Sequence, residues 1–193
     1  MLDGKKEEKD NKSIEDIDRE KLIEHGKRLL ETIYEDEGME TFEVEEGRGY
    51  VFREKRPEEG LELALNKMKE EGKGYVLTSI NPADIKKEYD VSDESISFYW
   101  LTVLEGNNNF DPTNLHLIGH SIIDFLENKK GLIFIEGIDK ILNHNSFDRF
   151  WRCLNHLIDV VSEENGILVI SLDPSTLSDQ YLSKIKKKLE ILR

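Results

Sequence analysis

The sequence predicts an α/β domain: a three-layer sandwich around a mostly parallel five-stranded sheet, preceded by an N-terminal helix. Three observations carry the prediction. Short β-rich runs alternate with stretches of helical periodicity from about residue 48 onward. The later runs, LIFI at 132–135 and ILVISL at 167–172, are apolar without polar interleaving, the pattern of strands covered on both faces. Glycine and proline punctuate the boundaries, at Gly47, Pro57, Gly72, Gly74, Pro82, Pro112, Gly131, Gly137 and Pro174.

Taken in order, residues 1–12 are almost wholly polar and cannot offset the entropy of ordering, so they read as a disordered leader. Ser13 is an N-cap candidate for a helix over 13–38, with Glu15, Asp16 and Asp18 in its first turn. Its apolar stripe includes Ile17, Leu22, Leu29, Leu30 and Ile33, and Gly38 stops it. The α/β domain is then residues 39–193. Tyr50-Val51-Phe52 marks a first strand, and Pro57 opens a helix carrying Leu61, Leu65 and Met68. Tyr75–Ile80 is a second strand, after which Asn81-Pro82 starts a short helix or turn. Ser97–Leu104 is a third strand, and Asp111-Pro112 opens a helix with Leu115, Ile118, Ile122 and Phe125 in register. Leu132–Ile135 is the fourth strand. Asn143, Asn145 and Ser146 form a turn and N-cap before a helix from Ser146 to Glu163. Ile167–Leu172 is the fifth strand, and Asp173-Pro174-Ser175 leads into a final helix.

Composition narrows the function. The chain has 193 residues with 37% hydrophobic, enough for a real core, and 35% charged, mostly Glu and Lys. That enrichment, with a single Gln and a single Cys, is the pattern of proteins from hot environments. A formal charge of −14 repels nucleic-acid phosphates and anionic membrane surfaces, so neither is an expected partner. The run Lys184, Lys186, Lys187, Lys188 is read as compensating the negative end of the last helix. Cys153 has no intramolecular partner, which fits a reducing cytoplasm, and no stretch is apolar enough to span a membrane.

Residues 132–142, LIFIEGIDKIL, raise the question of nucleotide chemistry. A strand ending in an acid holds magnesium in P-loop ATPases, and the order of elements here is that of a RecA-like, P-loop-like core. The phosphate-loop position would fall on Ser79 to Lys86. That stretch has no glycine, Pro82 removes one N–H, and no hydroxyl residue follows Lys86. The acid pair is incomplete too, because Glu136 is followed by Gly137. The core therefore reads as degenerate, and hydrolysis is not expected.

Several segments are similar to the archaeal domain-of-unknown-function family 835. They are GYVLTSINPADIKKEY, WLT at 100–102, DPTNLHLIGHSIIDFL, IEGIDKILNHNSFDRFWRCLNHLIDVV and SLDPSTLSDQYL. The resemblance covers roughly residues 49–193, and it implies an archaeal origin and an α/β domain. Members of that family often sit beside signalling or membrane modules, which implies a regulatory or docking role. Two positions depart from the family pattern. Glu136 stands where Asp is usual, and Ser79 stands where an Arg commonly precedes the Asn-Pro turn.

The functional expectation is a non-enzymatic regulatory or protein-docking domain, with no catalytic residue, metal or cofactor. A protein partner or a second copy is expected on the 13–38 stripe. The alternative is a sensor that binds a nucleotide or other small anion at Asn81, Glu136, Asp139 and Asp173 without turnover. Each of these has a plainer reading. Glu136 can cap the turn toward Asp139, Gly137 can serve a positive φ, and Asp173 or Ser175 can cap a strand-to-helix turn. His116 and His120 share a helix face, but nothing at a telling spacing makes them a metal site. Cys153, within a helical apolar run, reads as an inert thiol.

Overall fold

The computed structural model describes residues 42–92 and 94–192. The expected leader and the helix expected over 13–38, with Ile17, Leu22, Leu29, Leu30 and Ile33, lie outside the described residues. The elements in chain order are β1 (Arg48–Arg53), α1 (Glu58–Glu71), β2 (Gly74–Thr78), α2 (Pro82–Glu88), β3 (Ile96–Leu101) and β4 (Asn109–Phe110). There follow α3 (Leu115–Lys129), β5 (Leu132–Ile135), α4 (Ile138–His144), α5 (Phe147–Glu164) and β6 (Ile167–Leu172). A 3₁₀ turn (Pro174–Thr176), α6 (Asp179–Lys186) and β7 (Glu190–Ile191) complete the domain.

Among the described residues the strands form one seven-stranded sheet in the order β4-β3-β2-β5-β6-β1-β7, with every pairing parallel. The expected count of five is corrected to seven. The two additional strands, β4 and β7, are edge strands of two residues each, too short to carry a periodicity. The central order β3-β2-β5-β6-β1 is the doubly wound 2-1-3-4-5 arrangement, counted from β2, with its fifth place filled by the N-terminal strand.

Both faces of the sheet are covered. Val51, Tyr75, Leu77, Ile133, Ile135, Leu168 and Ile170 face a cluster built with α3, α4, α5 and α6. The alternate residues point the other way. There Phe52 meets α1 at Gly60, whose Cβ would lie 3.1 Å from the Phe52 ring, and Phe98 lies beneath Lys86 of α2. All six residues of β6 and all four of β5 are buried, which is why their sequences do not alternate.

Helix boundaries follow local chemistry. Gly72 ends α1 in the left-handed conformation at φ 64°, and Ser146 and Ser178 cap α5 and α6. Several expectations shift, and the second strand ends at Thr78 rather than Ile80. The third strand stops at Leu101 rather than Leu104, since Val103 and Leu104 are exposed. The helix expected from Asp111 begins at Leu115, because the Asp111 carboxylate takes the Thr113 N–H and hydroxyl, both at 2.8 Å, and makes a turn there instead. Asn143, expected in a turn with Asn145 and Ser146, instead lies within a helix, α4, over residues 138–144, with Ile138 and Ile141 buried.

Candidate functional site

In an open parallel sheet, ligands bind beyond the carboxyl ends of the strands, where the chain switches direction. Here that point lies between β2 and β5. From β2 the chain moves outward to β3 and β4, and it then crosses back to β5 on the other side. Thr78 ends β2 and is followed by Ser79 and Ile80, and the residue leaving β5 is Glu136.

The two ends are bound to each other. One Glu136 oxygen accepts from the Ser79 N–H at 2.7 Å and from the Thr78 hydroxyl at 2.9 Å. The other accepts from the Ser79 hydroxyl at 2.9 Å. The Ser79 carbonyl receives the Trp100 indole N–H and the Lys140 ammonium, each at 3.2 Å. Ser79 thus has its amide, hydroxyl and carbonyl all engaged. Glu136 caps the end of the neighbouring strand, not the turn toward Asp139.

Gly137 makes this approach fit. Its φ is 87°, and a Cβ there would stand 2.9 Å from Ser79 Cβ and 3.0 Å from Leu101 Cδ1. Both the backbone conformation and the space therefore require glycine. The expected turn role of Gly137 is thereby given a second, steric reason.

The amides where a phosphate loop would lie are likewise occupied. Ser79 N–H goes to Glu136, and Ile80 N–H to the Thr78 hydroxyl at 3.0 Å. Ala83 N–H goes to the Asn81 side chain at 3.0 Å, and the N–H groups of Asp84 and Ile85 go to the Asn81 carbonyl. Pro82 has none. The Asn81 N–H is left as the one amide of this stretch without an acceptor among the described residues. A phosphate cradle needs several convergent free N–H groups, and this turn offers one.

Beside the latch, a cavity of about 170 Å³ is lined in part by Glu54, Lys55, Glu136, Asp139, Ser171 and Asp173. Three of the four residues expected at a ligand site, Glu136, Asp139 and Asp173, therefore do meet. Asn81 does not join them; it is exposed and caps α2. Asp173 caps the 3₁₀ turn by accepting from Ser175 N–H at 2.8 Å. The Ser175 hydroxyl first and its N–H second, with a smaller contribution from nearby Lys55, hold the Asp173 carboxyl below the usual range.

Glu54 is the site residue that the sequence did not reveal. Pro57, at the start of α1, offers no side-chain cap. Glu54 supplies one from three residues upstream, accepting from Glu59 N–H at 3.0 Å and Gly60 N–H at 3.2 Å. Burial pushes its carboxyl above the usual range, and hydrogen bonds from Ser171, Gly60 and Glu59 offset part of that rise. An acid shortly before a proline-started helix is the only local signal it left in the sequence.

Other residues singled out from the sequence lie elsewhere. His116, His120 and Cys153 line a separate groove between α3 and α5. Burial raises the Cys153 thiol, which suppresses its thiolate. Among the described residues, no three His, Cys, Asp or Glu side chains converge as metal ligands, and no helix is long and apolar enough to cross a membrane.

Fold and site together define a doubly wound parallel α/β domain whose switch-point crevice is closed by its own side chains. The chain belongs to the family described as protein of unknown function, DUF835, whose family model matches residues 54–189. No curated protein matches the chain.

Proposed function

We propose that this domain is a non-catalytic regulatory or protein-docking module on a degenerate ATPase-like sheet. The observation that carries the reading is the mutual engagement of Glu136 with Thr78 and Ser79. An acid that activates water or holds magnesium must present free lone pairs to the ligand. Here both carboxylate oxygens accept from the turn that would otherwise cradle phosphate, three donors in all. Descent from a RecA-like core is part of this proposal. It is supported by the order along the chain, in which the strand followed by the phosphate-loop position precedes a strand that ends in an acid.

The docking half of the reading is supported by exposed apolar side chains at the carboxyl edge of the sheet. Ile80, Val103 and Leu104 are 37%, 73% and 59% exposed, and they follow the neighbouring strands β2 and β3. Exposed apolar residues gathered on adjacent loops mark an interaction surface. The apolar stripe that the sequence carries over residues 13–38 is a second proposed partner surface. Deleting residues 1–38 should leave the α/β domain folded and remove self-association or partner binding; unfolding on deletion would make the segment part of the core.

The alternative, a sensor of nucleotides or other anions at the switch point, meets an electrostatic obstacle. Glu54, Glu136, Asp139 and Asp173 surround the cavity, with Lys55 as its one lining cation among the described residues. The deciding experiment is thermal unfolding with ATP, GTP and cyclic dinucleotides at millimolar concentration, with and without magnesium. No shift is expected. A shift abolished by Glu136→Gln would replace the docking reading with the sensor.

A further inference from the structure

The groove between α3 and α5 has features that the switch-point site lacks. Both helices return the chain between parallel strands, so they run parallel to each other. They approach closely at Gly119, where a Cβ would lie 3.0 Å from Cys153 Sγ. The sheet-facing residues of the two helices, among them Ile118, Ile122, Leu154 and Val161, are buried in the core. The outward seam between the helices is left open as a cavity of about 560 Å³.

Its floor is apolar, formed by Leu115, Gly119, Ile123, Cys153 and Leu157. Its rim is cationic at one end. Arg149 and Arg152 stand one turn apart on the same face of α5, with His116 on α3 opposite them. Among the described residues, neither guanidinium has a carboxylate within 4 Å, and Arg152 only donates Nε–H to the Asp148 carbonyl at 3.3 Å. In a chain of net charge −14, two such guanidinium groups over an apolar trough are a local exception. The acids of the rim, Asp124 and Glu127, lie one to two turns beyond Gly119, at the other end.

We propose that this groove binds a small amphiphilic anion: an apolar chain lying over Leu115, Gly119, Ile123 and Leu157, with a carboxylate or phosphate head held by Arg149 and Arg152. Charge complementarity sets the direction. The head faces the N-terminal ends of α3 and α5, whose aligned peptide dipoles add to the positive potential there, and the tail runs toward Ile123. The size fits a small molecule. Ligand pockets span roughly 300–1,000 Å³, whereas a stable protein interface needs on the order of 1,000 Å² of buried surface. The α5 side of this groove, from Arg149 to Leu157, is only about 12 Å long.

Cys153 provides the test, since it is the sole cysteine and lies in the floor. The rate at which a thiol reagent modifies the native full-length chain is measured with decanoate, decyl phosphate, decanol and inorganic phosphate at up to about 1 mM. Binding slows modification by the factor 1 + [L]/Kd, about tenfold at ten times Kd. Decanoate or decyl phosphate is expected to protect saturably, decanol and inorganic phosphate far less. In the Arg149→Gln/Arg152→Gln variant, protection by the anions should fall to the decanol level. Equal protection by decanol and decanoate, or undiminished protection in the variant, overturns the proposal. Isothermal titration of the same four probes measures binding independently of thiol reactivity, and absence of heat and of protection for both anions overturns it. Protection that rises with protein concentration alone, accompanied by a doubled sedimenting mass, assigns the groove to a second copy and overturns it as well.

Discussion

Glu136 and Ser79 are joined twice, by the Ser79 N–H at 2.7 Å and the Ser79 hydroxyl at 2.9 Å, across the gap where β2 and β5 diverge. The pair closes the place where a doubly wound sheet ordinarily takes its ligand. Its energetics are accessible to mutation. Glu136→Ala removes the acceptor for three donors, and it is expected to cost about 2–3 kcal/mol. Glu136→Gln keeps one carbonyl oxygen in place and should cost about 1 kcal/mol. Urea unfolding at unchanged m-value measures both. A stabilised Glu136→Gln variant would show that the carboxylate is held under strain for a ligand.

Gly137→Ala tests the close approach that permits this latch. The substitution combines a left-handed backbone at φ 87° with contacts to Ser79 and Leu101 closer than ordinary Cβ packing. The expected loss is about 2–4 kcal/mol, from roughly 1–2 for the conformation and 1–2 for overpacking. Chemical denaturation checks it, and a loss below about 0.5 kcal/mol would mean that the turn relaxes freely.

Glu54 predicts a pH dependence. Its folded-state carboxyl is raised, chiefly by burial, so the folded chain holds that proton more tightly than the unfolded chain. The corresponding stability is fully present below the unfolded pKa and is lost as pH rises through the folded one. Against Glu54→Gln, which keeps an acceptor for α1 and does not titrate, the native protein should gain ground as pH falls from about 7 to about 4. Paired urea titrations at several pH values read the difference. A gap that does not change with pH would show that the shift is absent.

Asn145 joins two helix connections inside the core. Its side-chain amide donates to the Pro112 carbonyl at 2.8 Å and the Ile141 carbonyl at 2.9 Å, and the residue is buried. Asn145→Ala should cost about 1–3 kcal/mol by stranding the Pro112 carbonyl. Asn145→Asp should cost more, because it turns a donor into a buried charge facing two carbonyl oxygens. Reversal of that order in thermal or chemical unfolding would place water at the site.

How far these features could be read from the sequence depended on their range. Leu132–Ile135 and Ile167–Leu172 were visible because burial on both faces leaves unbroken apolar runs. Ser146 as a cap was visible because its partner, Arg149, is three residues away. The bonds from Thr78 and Ser79 to Glu136 span nearly sixty positions, and no local pattern announces them. Helix α4 was hidden by its shortness and by the asparagines around it. Ile138 and Ile141, three apart after Gly137, were its faint trace. Strands β4 and β7 exist only through their neighbours. Asn81 was placed with the acids because it follows a strand end, yet its own backbone claims the side chain first.

The position of β1 has a consequence for biosynthesis. It lies between β6 and β7, so Arg48 pairs with Ile167 and Tyr50 with both Val169 and Glu190. Among the described strands β1 is made first, and it therefore waits with no lateral partner until β6 has been translated. A chain cut short before residue 167 would leave that apolar segment uncovered, and such fragments should be cleared by quality control or aggregate rather than persist as a smaller domain.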